Sequence, residues 1–344
     1  MITKWSRREV LACSLGAAGS IVGAGAFASR SRVRAIDVHH HFLPPFYKPV
    51  VEPWLRRFAG NVAFVLNWSP EVSLSAMDRA GIETAVLSIS APAIDAGSLG
   101  ADIDLARRCN DYAAKLSAEH PGRFRFFAAL PMPHVDASLK EAERALDHLG
   151  AQGVGLLSSY GGRYLGDMGF APVFELLEHR RAIAYVHPTI PICCAGVVPQ
   201  LNDSLIEMPA DTGRTIGSLL WSGALSRYPH VRMVFSHGGG ILPMVAERLA
   251  LMGSDPHLAA RVPEGAQAAL ARLYVDTASV TNRMAMAALR AWLPDQHILF
   301  GTDFPWGSPE QLLKSLDTLG LAPGVLAGVR RRNVEQLLGP SLTG

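Results

Sequence analysis

Eight short β-rich runs recur along this chain, separated mostly by stretches of helical periodicity. This alternation limits the folds open to it more than any other feature. The runs are residues 34–39, 84–90, 124–130, 153–158, 182–187, 232–237, 272–277 and 297–302. Between them lie amphipathic segments such as 102–120, 136–150, 171–180, 212–228 and 284–293. Apolar runs alternating with helical periods predict parallel strands joined by crossover helices. Eight such units in about 300 residues match an α/β architecture of the (β/α)8 or TIM-barrel type. A doubly wound open sheet would want a Gly-rich phosphate turn after the first strand. That strand runs instead into His39-His40-His41-Phe42-Leu43-Pro44-Pro45. Two connections are long. Residues 44–76 carry Trp54 and Trp68 and are expected to form a lid or pocket wall. Residues 188–211, rich in Pro and Gly, follow the fifth run. Residues 321–338 are expected to be the closing helix.

Composition narrows the function classes. With 49% hydrophobic and 18% charged residues the chain is not disordered. Four cysteines in 344 residues exclude a small disulfide-stapled module. Cys109 stands alone and Cys193-Cys194 are adjacent, so idle or buried thiols are expected rather than a disulfide or a joint metal site. A formal net charge of +2 gives no footprint for nucleic acid. The N-terminus reads differently. Lys4, Arg7 and Arg8 precede a charge-free stretch from Val10 to Ala28 that is rich in Gly and Ala. Ser6-Arg7-Arg8-Glu9-Val10-Leu11 resembles a twin-arginine export signal, and Ala26-Phe27-Ala28 fits a small-x-small cleavage site. The expectation is a signal in residues 1–28, a single barrel domain in 29–344 and export to the periplasm. The stretch is too weakly hydrophobic for a stable membrane anchor. The alternative is a frayed N-terminal helix on a cytoplasmic enzyme. Removing residues 1–28 takes away three basic side chains and one acidic one, which brings the formal charge to zero.

In a barrel enzyme the chemistry sits at the C-terminal ends of the strands. The first run ends Asp37-Val38-His39-His40-His41, where alternation turns His39 and His41 to one face and His40 away. Two imidazoles about 7 Å apart along a strand can chelate one ion. The fifth run ends Val186-His187-Pro188, the sixth Ser236-His237 before Gly238-Gly239-Gly240, and the eighth Gly301-Thr302-Asp303-Phe304-Pro305. Imidazole and carboxylate suit Zn²⁺, with Mn²⁺ as a second choice. Any one strand-end histidine taken alone is more often structural, and Asp303 alone could cap the segment at Ser308-Pro309. Convergence of four strand ends carries the metal reading. His120, His134, His148, His179, His230, His257 and His297 fall away from the strand ends and are read as surface or packing residues.

These residues resemble the amidohydrolase superfamily, and most closely its aminocarboxymuconate-semialdehyde decarboxylase-like branch. The motifs are Ile36-Asp37-x-His39-x-His41, Val186-His187-Pro188, His237-Gly238-Gly239-Gly240 and Gly301-Thr302-Asp303-Phe304-Pro305, in order across residues 34–338. Met77-Asp78-x-Ala80-Gly81-Ile82 and Met208-Pro209-Ala210-Asp211-Thr212 fit as well. Within the branch, His39-His40-His41-Phe42, Trp68-Ser69-Pro70-Glu71, Ser90-Ala91-Pro92, Tyr164-Leu165-Gly166-Asp167 and Val186-His187-Pro188-Thr189 resemble 6-methylsalicylate decarboxylases. The resemblance implies that His39, His41, His187 and Asp303 bind one divalent ion and that His237 acts as acid/base. It also implies that Arg248 reaches a substrate carboxylate across a homodimer interface; the alternative is an exposed helical residue. One departure matters. The muconate-semialdehyde decarboxylases carry an arginine just before the Trp-x-Pro-Glu stretch, whereas no Arg occurs here between Arg57 and Arg79. That argues against a substrate with two carboxylates and fits a smaller aromatic acid.

The reading is a metal-dependent, non-oxidative decarboxylase of a small aromatic or unsaturated carboxylic acid. Asp303 or His237 would deliver the proton that the reaction needs. Tyr160, Trp68, Phe42, Phe304 and Trp306 lie near strand ends or in the first connection and could sandwich a ring. Each could equally be core packing. A rival enzyme reading is a hydrolase that attacks a lactone, ester or amide with metal-activated water. A non-enzymatic metal- or ligand-binding barrel is the third.

Overall fold

Each of the eight runs becomes a strand of one parallel sheet. The structure is a computed structural model that describes residues 34–339 except 60, 252 and 254. The proposed signal in residues 1–28 lies outside the described residues. The strands are β1 (Ala35–His41), β2 (Ile82–Ser88), β3 (Phe124–Ala129), β4 (Gly153–Leu157), a short antiparallel hairpin of β5 (Ser159–Tyr160) and β6 (Arg163–Tyr164), then β7 (Ile183–His187), β8 (Arg232–Phe235), β9 (Tyr274–Asp276) and β10 (Ile298–Leu299). The barrel order is β1-β2-β3-β4-β7-β8-β9-β10. The ring closes where Val38 N–H donates to Phe300 O (3.0 Å) and Asp303 N–H donates to His39 O (2.8 Å). Consecutive pairing with intervening helices is what parallel connections require.

The pairing of β1 with β2 slips by one residue between Asp37 and His40. Such a bulge re-aims side chains. Ile36 and Val38 pack in the barrel interior with Phe127, Tyr185 and Val234, and the helix Asn333–Leu338 adds Val334 and Leu337 to that cluster. Beyond the slip, His39 and His41 face the mouth together, while Phe42 packs outside the barrel beside Trp68.

The connections are more ordered than the sequence suggests. The first holds three helices, Lys48–Ala59, Ala63–Leu66 and Pro70–Ala80. The last begins where Ser69 Oγ accepts from Val72 N–H and stops at left-handed Gly81 (φ 78°). The helix expected over 212–228 divides into Glu207–Trp221 and Ala224–Arg227 at left-handed Gly223 (φ 75°). The closing helix carries a π-turn, Gly328–Arg332, which offers Val329 O to Phe300 N–H just after the last strand. In the 188–206 loop the expectation of free thiols fails, because Cys193 and Cys194 form a vicinal disulfide. The loop is not extended there. A turn closed by Cys194 N–H to Pro191 O brings the two sulfurs together. Cys109 is a buried free thiol. No helix among the described residues is long and apolar enough to cross a membrane.

Candidate active site

The ends of β1 and β7 and the turn after β10 bring His39, His41, His187 and Asp303 together. One ligand atom from each lies within 4.8 Å of all the others. Asp303 Oδ1 is 3.1 Å from His39 Nε2 and 3.0 Å from His41 Nε2. Every imidazole turns its other nitrogen to an acceptor. His39 Nδ1 lies 3.0 Å from Asp276 Oδ2, His41 Nδ1 3.3 Å from Ser88 O, and His187 Nδ1 2.8 Å from Pro188 O. This leaves the Nε2 lone pairs converging on one point with a carboxylate, which suits a divalent cation. His187 Nε2 is buried without a hydrogen-bond partner in the protein, an expensive state that such an ion relieves. The residues therefore fit a site for one divalent metal ion.

Electrostatics agree with that donor set. Burial pulls the His39 pKa down, yet the Asp276 and Asp303 carboxylates overcome it and push it up to about 10. Burial lowers His41 and His237, and it drives His187 well below the usual range with help from the neighbouring imidazoles. Burial alone would raise Asp303, but His39, His41 and His237 hold it well below the ordinary carboxylate range.

His237 stands beside this group at a kinked turn, with Nε2 3.8 Å from Asp303 Oδ2. His237 and Asp303 both hold left-handed backbone (φ 54° and 59°), as does Ser279 nearby. Strain of this kind persists where surrounding structure over-determines it. Asp276 does much of that work. Its Oδ1 accepts from the N–H of His237 and of Ala278 at 3.0 Å each, and its Oδ2 accepts from Tyr185 Oη. The sequence reading missed Asp276, although it ends the seventh strand just as the ligands end theirs. Gly301 lets these groups meet, since a Cβ there would lie 2.8 Å from the Cβ atoms of both His39 and Asp276.

A second buried network supports β1 from behind. Asp37 accepts from His39 N–H, from Thr302 N–H and Oγ1, and pairs with His40 Nδ1. His40 Nε2 meets Ser73 Oγ at 3.0 Å, and Trp68 Nε1–H donates to the same oxygen. His40 thus points away from the metal residues, stacked on Phe304.

A cavity of about 460 Å³ opens above the centre. Its floor includes His187, His237 and Asp303, and its walls are largely Trp54, Phe58, Met208, Pro209, Val280 and Trp306. Ser90, Asn202, Ser204 and Ser279 supply polar groups, and among the described residues no Lys or Arg lines it. Asn202 Nδ2 donates to Phe58 O (3.2 Å), tying the 188–206 loop to the helix Lys48–Ala59 across the mouth. Four aromatic residues expected at the substrate are elsewhere. Phe42 and Trp68 are core residues, and Phe304 is turned to His40. Tyr160 is buried with Oη accepting from Leu157 N–H. Phe42 directly follows the inward-facing His41 at the end of β1, so alternation sends it outward, while the left-handed turn at Asp303 carries Phe304 over to His40. Arg248 is exposed on the helix Leu242–Leu251 and does not line the cavity.

Comparison with known proteins agrees with this geometry. The family described as Amidohydrolase matches residues 36–339. Decarboxylase yanB of Aspergillus niger is 41% identical over 286 residues, 79% of this chain and 77% of that protein. The 6-methylsalicylic acid decarboxylase acuB of Aspergillus aculeatus is 32% identical over 317 residues, covering 88% of this chain and 95% of its own. A crystal structure of an amidohydrolase II superposes with a TM-score of 0.79 at 25% identity, over 88% of this chain and 99% of that one.

Proposed function

This chain belongs to the amidohydrolase family, and from that premise we propose that it is a metal-dependent decarboxylase. Its substrate is a small aromatic carboxylic acid of the 6-methylsalicylate kind. The observation that carries this reading is the aromatic cavity over the histidine–aspartate centre, which offers a flat apolar ring a place beside a metal site and, among the described residues, brings no Lys or Arg. The relatives named for decarboxylation support the same chemistry.

A divalent ion held by His39, His41, His187 and Asp303 supplies a Lewis acid for the carboxylate or an adjacent hydroxyl. Zinc is our choice on the donor set, with manganese the alternative. The remaining work belongs to the chain. Trp54, Phe58 and Trp306 hold the ring and exclude water. His237 Nε2, 3.8 Å from Asp303 Oδ2 at the cavity floor, hands a proton to the ring carbon that bears the carboxylate. Asp276 orients His39 and the backbone of His237. The carbon–carbon bond then breaks, its electron pair restores the ring, and carbon dioxide leaves.

For Arg248 we propose a role in a homodimer. Met244, Arg248 and Leu251 follow one face of their helix, and Met244 and Leu251 are 78% and 70% exposed. That apolar face around a cation suits a partner whose substrate carboxylate Arg248 would meet. We also propose periplasmic export through residues 1–28. The activity is tested by incubating zinc- or manganese-loaded protein with hydroxybenzoates and with lactones. Carbon dioxide released from the first without turnover of the second is expected. Lactone opening without carbon dioxide would establish the hydrolase instead.

A further inference from the structure

Two cavities reach Asp303. The first is the aromatic pocket above the centre. The second, of about 300 Å³, lies against Thr302, Ser308, Gln311 and Ser315, and shares Asp303, Ser279 and Trp306 with the first. Trp306 therefore stands as a partition between them. Its place is fixed by a tight turn: Trp306 N–H and Gly307 N–H both donate to Asp303 O, at 2.7 and 3.0 Å. Only glycine fits at 307, where a Cβ would lie 2.0 Å from Thr302 O. The helix Pro309–Asp317 starts directly afterwards, with Ser308 Oγ accepting from Gln311 N–H. Gln311 and Ser315, four residues apart, fall on one face of that helix and line the cleft. The two chambers differ in chemistry. Aromatic rings and apolar side chains wall the first, whereas hydroxyl and amide groups dominate the second.

We propose that the polar cleft is a solvent-side door, through which water brings the proton consumed in each turnover while the aromatic acid fills the other chamber. The inference rests on the decarboxylase reading. In that reaction the bond from ring carbon to carboxylate breaks and its electron pair stays with the ring. The ring carbon takes one proton, and carbon dioxide leaves. The proton comes from water, and the hydroxide left behind is taken up by the carbon dioxide as bicarbonate. A ring seated among Trp54, Phe58 and Trp306 keeps water out on its own side. Hydroxyl and amide side chains are donors and acceptors that can order a short file of water toward Asp303 from the other side, and Asp303 Oδ2 lies 3.8 Å from the His237 Nε2 that hands the proton to the ring.

The test narrows the door without touching the aromatic pocket. Gln311→Trp and Ser315→Leu add bulk to the cleft face of the helix, and Lys314→Ala on the same helix does not face it. Steady-state carbon dioxide release is measured in H₂O and D₂O, with melting temperature and metal content read alongside. The expected result is a kcat about tenfold lower in each bulky variant, KM within about twofold of wild type, and a larger solvent isotope effect on kcat. Lys314→Ala keeps wild-type values. Wild-type kcat and isotope effect in both folded bulky variants would overturn the door, and so would an equal loss in Lys314→Ala. A wild-type protein that releases no carbon dioxide from any hydroxybenzoate would overturn the functional reading itself, and the door with it.

Discussion

Each metal-site histidine uses one nitrogen for the protein and keeps the other for the ion, so removing a ligand removes a donor that no neighbour replaces. His187→Ala and Asp303→Asn are expected to retain the fold by circular dichroism and to lose bound metal by elemental analysis. Full metal content in both would show that the ligand set is wrong. The metal-free protein has a characteristic pH profile. His39, raised to about 10, contributes stability that is fully present below pH 6.5 and fades as pH climbs through about 10. His41, His187 and His237 are lowered, so their unfolded forms take up protons first and stability falls as pH drops below about 6.5. Chemical denaturation across pH should therefore peak near neutrality. Metal binding near pH 7 should release about one proton per ion, from His39. At this scale the sequence was legible where chemistry and alternation coincide: His39 and His41 at i and i+2, and His40 facing away. It was illegible for Asp276, whose partners lie on other strands, and for Phe42 and Phe304, where nearness to a ligand left ring contact and core packing both open.

At the scale of elements, all eight strands and the principal helices could be read from periodicity. The ends moved where special backbone intervenes. The slip in β1 and the left-handed Gly223 follow from tertiary pairing and packing that periodicity does not carry. The long connections were the least legible. Residues 44–76 were expected as a lid or pocket wall, and Trp54 does line the pocket, but the helix Lys48–Ala59 that supplies Trp54 and Phe58, with Pro53 inside it, was not read. These rings stack at 4.9 Å, and Phe58 meets Trp306 edge-on at 5.7 Å. Trp54→Ala is expected to raise KM for the aromatic acid about tenfold with little change in kcat, because the ring is held in ground and transition states alike. A fall in kcat at constant KM would assign Trp54 to the chemistry instead.

At the scale of the molecule, the barrel explains why so few charges matter. The interior is filled by residues such as Phe127, Tyr185 and Val234, and the ionisable groups of the centre sit above them at the strand ends. The proposed dimer is checked by sedimentation: Met244→Glu with Leu251→Glu should turn a dimer into a monomer, whereas a wild-type monomer would remove the shared role of Arg248. The central claim is that this barrel decarboxylates a small aromatic acid with the help of one divalent ion. Carbon dioxide release from 6-methylsalicylate, followed as stripped protein is titrated with zinc or manganese, tests it most directly. The account predicts no release from the stripped protein and a rate that rises to a plateau at about one ion per chain. Release that is unaffected by stripping, or a metal-loaded protein that opens lactones and leaves the acid intact, would contradict it.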